Sequence, residues 1–314
     1  MLSAGLGESA YGSAGDATSW VCLEQNGPWG RAAATESHLD PGLGGRLDAE
    51  VSAVGGRFAL IRRPGSHPDD DRDHRERPGM RTVLVASVVG AGWMLRGELA
   101  DPRDLEALDV AALGRGDLDA VLASMPMLAV EPRPTLLVCT NGRRDVCCAV
   151  RGRPVAAGAA ARRPGQVWET SHTGGHRFAP TGVLLPSGAT LGRLDVDLSL
   201  LALDAAARGQ LPHALHGPVH DRGACGLPAP ERAALSAVRH LTGEQGLQAV
   251  VIDAAVPLEE GSWRVVVRHL DRRSWTTVVT RGVLGADRPE SCLKPAVPQV
   301  GWAVSVNEDV RSPS

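Results

Sequence analysis

The chain has 314 residues, of which 43% are hydrophobic, and a formal net charge of −3. That length accommodates two or three domains with a sizeable core. The near-neutral balance gives no reason to expect a nucleic acid or an anionic membrane as partner. Lys294 is the single lysine, so the basic charge is carried by arginine. Apolar runs such as "TVLVASVVGAGWML" are broken by glycine and too short to cross a bilayer. The start, "MLSAGLGESAYGSAGD", lacks the basic and apolar regions of a signal peptide. The expected compartment is the cytoplasm.

The first third reads as α/β. "SWVCLEQ" predicts a strand ending at the turn "NGPWG", and "LDPGLGGRLDAEVSAVGG" a helix closed by glycines. "RFALIRR" and "RTVLVASVV" are strand candidates, joined by "PGSHPDDDRDHRERPGM", which reads as a solvated hairpin loop. "GWMLRGELA" predicts a further strand, and "DPRDLEALDVAAL" one helix capped by Asp101 with Pro102 in its first turn.

The middle third repeats that order. "TLLVCT" and "QVWETS" predict strands on either side of a helix over "PVAAGAAARR", where Pro154 marks a start or a kink. "TGVLLP" and "ATLGRLD" predict a hairpin, followed by a helix over "VDLSLLALDAAARG". "LRGELADPRDLEALDVAA" and "LGRLDVDLSLLALDAAA" share a strand, an acidic cap and a leucine-rich helix, a weak sign of duplication. Strand, helix, strand, hairpin, helix is the thioredoxin-like order. The last third opens with the linker "QLPHALHGPVHDRGACGLPAP". A helix over "PERAALSAVRHLTGEQG" and strands at "LQAVVIDA", "SWRVVVRHL" and "SWTTVVT" follow, and then an irregular end. The expected organisation is an N-terminal α/β lobe over 1–130, a thioredoxin-like domain over 131–209 and a small α+β appendage over 210–314.

Six cysteines are too few for a disulfide scaffold at this length. Cys22, Cys225 and Cys292 sit alone and read as small buried hydrophobes. "CTNGRRDVCC" and "HTGGH" differ: Cys139, Cys148, His172 and His176 are all metal-ligand types. Gly174 and Gly175 argue against a helix between the two histidines and suit a backbone wrapped closely round an object. The ligands are expected on two loops at one sheet edge. Zinc accepts two thiolates and two imidazoles, though zinc knuckles use tighter cysteine spacing. A [2Fe–2S] cluster accepts four ligands, two of which can be imidazoles. Both readings stay open on spacing alone.

"CTNGRRDVCC" with "WETSHTGGHRFAPTGVLLPSGATLGRLD" resembles the sucrase/ferredoxin-like family. "VCLEQNGPWG" and "RGACGLPAPERAAL" are similar to it as well, so the resemblance runs from about Trp20 to Cys292. It implies a thioredoxin-like ferredoxin domain carrying a [2Fe–2S] cluster. In thioredoxin-like ferredoxins the second ligand pair is Cys-x3-Cys ahead of a hairpin. His172 and His176 stand in those places here, and "LLPSGATLGRL" supplies the hairpin. The ligand set implied by the resemblance is Cys139, Cys148, His172 and His176, with Cys148 favoured over its neighbour Cys147 by the family spacing. No paired carboxylates mark a sugar cleft that would support glycosidase chemistry.

The function implied is electron transfer, with redox sensing as a further role. The chain reads as a carrier more than as an enzyme with its own substrate. No flavin or nucleotide motif is found, so the expected partner is a redox protein such as a flavin reductase. The sequence leaves the oligomeric state open. Structural zinc on the same four residues is the alternative. Thiol–disulfide chemistry comes third, since there is no C-x-x-C and the vicinal Cys147–Cys148 pair would form only a strained disulfide. Arg143, Arg144 and Arg177 flank the ligands, either to steer an acidic donor or as solvated charges. Ser171 and Thr173 are candidate hydrogen-bond donors to a sulfide or thiolate. His213, His216 and His220 read as a surface linker.

Overall fold

The computed structural model describes residues 7–65, 79–289 and 294–308. Cys292 and most of the charged loop after the second strand lie outside the described residues. The chain has an α/β fold. Strand β1 (Ser19–Glu24) and strand β2 (Arg57–Arg62) run parallel and are joined through helix α1 (Pro41–Ala53). Antiparallel β3 (Arg81–Ser87) and β4 (Trp93–Leu99) follow, with short β5 (Ala129–Val130) at the edge. The same succession then recurs. Strands β6 (Thr135–Cys139) and β7 (Val167–Thr170) are parallel across helix α4 (Val146–Arg162), preceded in the chain by α2 (Val110–Arg115) and α3 (Leu118–Ser124). Hairpin β8 (Gly182–Leu185) and β9 (Ala189–Leu191), helix α5 (Val196–Ala206) and strand β10 (Asp221–Ala224) complete it.

Among the described residues these ten strands form one sheet, ordered β10-β9-β8-β6-β7-β2-β1-β3-β4-β5. The two halves therefore mirror each other about the antiparallel β2/β7 junction, where Ile61 faces Thr170 and Arg62 faces Glu169. The two stretches with weak sequence likeness begin within β4 and at the end of β9, which hold corresponding places in the two halves. The strands read as nearly unbroken apolar runs because they are buried on both faces. One face packs on the helices, through Val21, Leu60 and Val85 in the first half and Leu136 and Val138 in the second. The other face carries Trp20, Cys22, Ile61, Leu137 and Trp168, with Ala17 and Cys225 packed among them.

A separate four-stranded antiparallel sheet follows helix α6 (Ala229–Thr242). It is built from β11 (Val250–Pro257), β12 (Ser262–His269), β13 (Ser274–Val283) and β16 (Val300–Glu308), with the small pair β14 (Arg288–Pro289) and β15 (Ala296–Val297) beside it. Ala233 and Val238 of the helix bury against Val265, Val267 and Trp275 of the sheet.

Several elements differ from expectation. The helix expected from Asp101 is split. Asp101 does cap a 3-10 turn over Pro102–Ala107, but Asp109 then accepts from the Ala112 N–H and starts a new helix. The helix expected around Pro154 begins eight residues earlier, at Val146, and carries Pro154 inside it. The linker contributes β10, and the end expected to be irregular forms β16, paired along its length with β13.

Candidate metal centre

Cys139 is the last residue of β6, and its side chain is fully buried. Asp145 caps α4 by accepting the Cys147 N–H at 2.8 Å, which fixes the first turn of the helix. Cys148 is therefore a helix residue, not a loop residue as expected, and it points back at the strand end. The close approach of helix and strand needs Gly152, because a Cβ there would collide with the carbonyl oxygen of Cys139. His172 follows β7 by two residues. His176 opens a single 3-10 turn, after Gly174 and Gly175 have turned the chain through positive φ.

The four sequence-predicted ligands converge. Ligand atoms of Cys139, His172 and His176 lie within 4.8 Å of one another. Cys148 Sγ is 3.2 Å from His176 Nδ1 and hydrogen-bonded to Cys139. The two imidazoles are tilted, with centroids 5.1 Å apart. His172 Nδ1 is buried and has no hydrogen-bond partner. A buried polar atom left bare is costly, and here it is satisfied if it binds a metal. Cys147, the fifth ligand type, is disulfide-bonded and so is not a free thiol. Cys148 is free, which excludes the vicinal disulfide.

The electrostatics prepare the thiols for metal. The hydrogen bond from Cys148 holds Cys139 well below the ordinary thiol range, helped by His172 and the Thr173 N–H. Cys148 is pushed up, first because it hydrogen-bonds Cys139 and then by burial. The pair thus gives up one proton easily and keeps the other, so a cation that displaces both gains two thiolates. Burial pushes His176 down, leaving it neutral and able to ligate.

The surrounding groups depart from expectation in part. The Ser171 hydroxyl accepts the Leu60 N–H at 3.1 Å, and the Thr173 hydroxyl pairs with Thr181 at 2.8 Å. These hydroxyls brace the loop, and it is the backbone N–H of Thr173 that reaches Cys139. Arg177 is pinned by Glu8 at 2.6 Å, Arg143 is exposed, and Arg144 reaches the Arg31 carbonyl at 3.4 Å. The first half has a cavity of about 340 Å³ between the start of α1, the first residue of β3 and the turn after β4. Its lining includes His38, Asp40, Arg46, Arg81, Asp101 and Arg103 but no cysteine.

Cys22 and Cys225 are buried apolar residues, as expected. The histidine linker is not a surface feature throughout. His213 is exposed, but His216 is buried and bonded through Nε2 to the Leu211 carbonyl at 3.0 Å. Burial, with Arg239, His213 and His240 nearby, pushes His216 down to about 4. In the unfolded chain it titrates near ~6.5. As pH falls below ~6.5 the unfolded chain binds a proton that the folded chain refuses, so stability drops through that window until about pH 4. Urea unfolding at pH 7 and pH 4.5 should show a smaller loss for His216→Gln than for the native chain. Equal losses would remove this residue from the acid response.

The sucrase/ferredoxin-like family model matches residues 11–198, well over half of the chain, and spans all four candidate ligands. No curated protein and no solved structure matches the chain significantly.

Proposed function

Given that the chain belongs to the sucrase/ferredoxin-like family, we propose that it is an electron-transfer protein holding a [2Fe–2S] cluster on Cys139, Cys148, His172 and His176. The observation that carries this reading is the convergence of four donors, two of them thiols, from the ends of two adjacent parallel strands and the first turn of the helix between them. The donor set fits the group, since [2Fe–2S] centres are held by four ligands and tolerate two imidazoles. When bound, such a centre supplies a one-electron relay. The residues of the chain do the rest. β6, β7 and the capped helix α4 fix the donors, and the half-buried histidines bring the site toward solvent. The strand order β9-β8-β6-β7 supports a thioredoxin-like domain around the centre, and β4-β3-β1-β2 supports a degenerate copy in the first half.

The partner is proposed to be an acidic redox protein such as a flavin reductase. Val146 (51% exposed) and Val150 (67%) lie one turn apart beside Cys147, with Arg143 and Arg151 exposed next to them. An apolar centre rimmed by cations is suited to an acidic surface. Among the described residues no helix is long and apolar enough to cross a membrane.

Structural zinc is the second reading, because three donors within 4.8 Å also suit a single ion. Anaerobic purification followed by iron, sulfide and zinc analysis separates the two. The cluster reading expects two irons and two sulfides per chain and a red-brown protein. A colourless protein with one zinc would overturn it.

A further inference from the structure

Arg222 is fully buried and sits in β10, beyond the stretch matched by the family. Its guanidinium donates through Nη1 to the Gly174 carbonyl at 3.1 Å and through Nε to the Ser13 hydroxyl at 3.1 Å. Nη2 donates to the Ser13 carbonyl. The group lies 5.7 Å from the centre of the Phe178 ring. Gly175 must be glycine, because it adopts φ 68° and a Cβ there would collide with this guanidinium. Arg222 therefore grips the turn that carries both histidine ligands.

Its acceptors are neutral, and among the described residues no carboxylate pairs with it. The arginines around it are compensated differently: Arg177 pairs with Glu8 and Arg232 with Asp16, each at 2.6 Å. A buried cation with no anion is expensive and is retained only where something offsets the cost. Burial pushes Arg222 down to about 9, and Arg177 and Arg232 push the same way, while Cys139 acts in the opposite direction. The carbonyl that Arg222 holds is that of Gly174, between His172 and His176, so the guanidinium stands next to the proposed centre.

We propose that Arg222 is a positioning residue whose fixed charge is the counter-ion of the reduced centre and raises its reduction potential. This rests on the cluster reading above. Two ferric ions, two sulfides and two thiolates sum to zero, so one electron from the donor leaves a charge of −1 beside the guanidinium. A fixed cation stabilises that state more than the neutral one and shifts the reduction equilibrium toward it.

The test uses the full chain, purified anaerobically, with Arg222→Gln and Arg222→Lys. Iron and sulfide content, visible spectrum, circular dichroism and a mediated redox titration are the readouts. Arg222→Gln should lower the reduction equilibrium constant at least tenfold, which is 59 mV for one electron. Arg222→Lys, which keeps the charge, should stay within about threefold of native. A folded Arg222→Gln without iron alongside an iron-loaded Arg222→Lys supports the same charge requirement. A native potential in Arg222→Gln overturns the inference. An equal drop in both variants, or loss of iron from both, shows that geometry matters and charge does not. Failure of either variant to fold assigns Arg222 to the fold alone and also overturns it. A native chain lacking iron and sulfide fails the cluster reading itself, and the native sample alone reveals that.

Discussion

Replacing Cys139 or Cys148 with serine is expected to abolish the visible absorption and bring iron close to zero, while Cys147→Ser leaves both near native. The soft thiolate is the ligand that iron–sulfur centres select, and a serine hydroxyl in the same place keeps its proton at neutral pH. Cys139 has no substitute, since it ends a fully buried strand and Thr173 already directs an N–H at its sulfur. Cys148 has a neighbour of the same type, but Cys147 sits about 100° round the helix and is occupied in a disulfide. The checks are the visible spectrum and iron content of the three single variants, each compared with its circular dichroism. A colourless Cys147→Ser with a normal Cys148→Ser would reverse the ligand assignment. A normal spectrum in all three would place the centre elsewhere.

That experiment tests residues that were legible in the sequence. All four are metal-ligand side chains, and the double glycine argued against a helix between the two histidines. The buried strands were legible for a similar reason. "WVCLE", "FALIR" and "VLVAS" are apolar without alternation, as strands covered on both faces must be. What could not be read has local causes. β10 has the sequence "DRGA", with no β-branched or aromatic residue to signal a strand. Its pairing with β9 is irregular, with a register shift between Asp221 and Gly223. Arg222 was missed with it, because a lone arginine in a polar linker carries no signal until the fold buries it. The start of α4 was hidden behind Pro154, since a proline inside a helix removes a hydrogen bond and usually marks an end. Here the Asp145 cap and the packing of Gly152 on β6 outweigh that loss. The bare Nδ1 of His172 and the proton shared by Cys139 and Cys148 are properties of convergence, and spacing alone could not give them.

The β2/β7 junction carries the second large effect. Arg62 and Glu169 face each other across it, both about 95% buried, with the guanidinium 2.6 Å from the carboxylate. The same carboxylate oxygen accepts the Thr140 hydroxyl at 2.8 Å, and the Trp29 ring lies 4.4 Å from the guanidinium carbon. Glu169→Ala removes the anion and leaves Arg62 charged and buried without it. Breaking a buried pair from one side costs about 3–5 kcal/mol, much of it the penalty of the stranded charge. Urea unfolding should show a loss of that size. The double variant Arg62→Met with Glu169→Leu should lose less than Glu169→Ala alone, because it strands no charge and leaves only the Thr140 hydroxyl without its acceptor. The loss should also reach the proposed metal site. Thr140 follows Cys139, and His172 lies three residues beyond Glu169, so one carboxylate ties together the ends of the two strands that lead to the proposed ligands. Glu169→Ala should therefore release metal to a chelator faster than the native chain, with Cys139 and His172 both intact. A double variant as unstable as the single one would show that the junction depends on the ion pair itself and not on avoiding a lone buried charge. Unchanged stability in Glu169→Ala would mean that water enters the junction and solvates Arg62, and the two halves would then be held by their apolar strands alone.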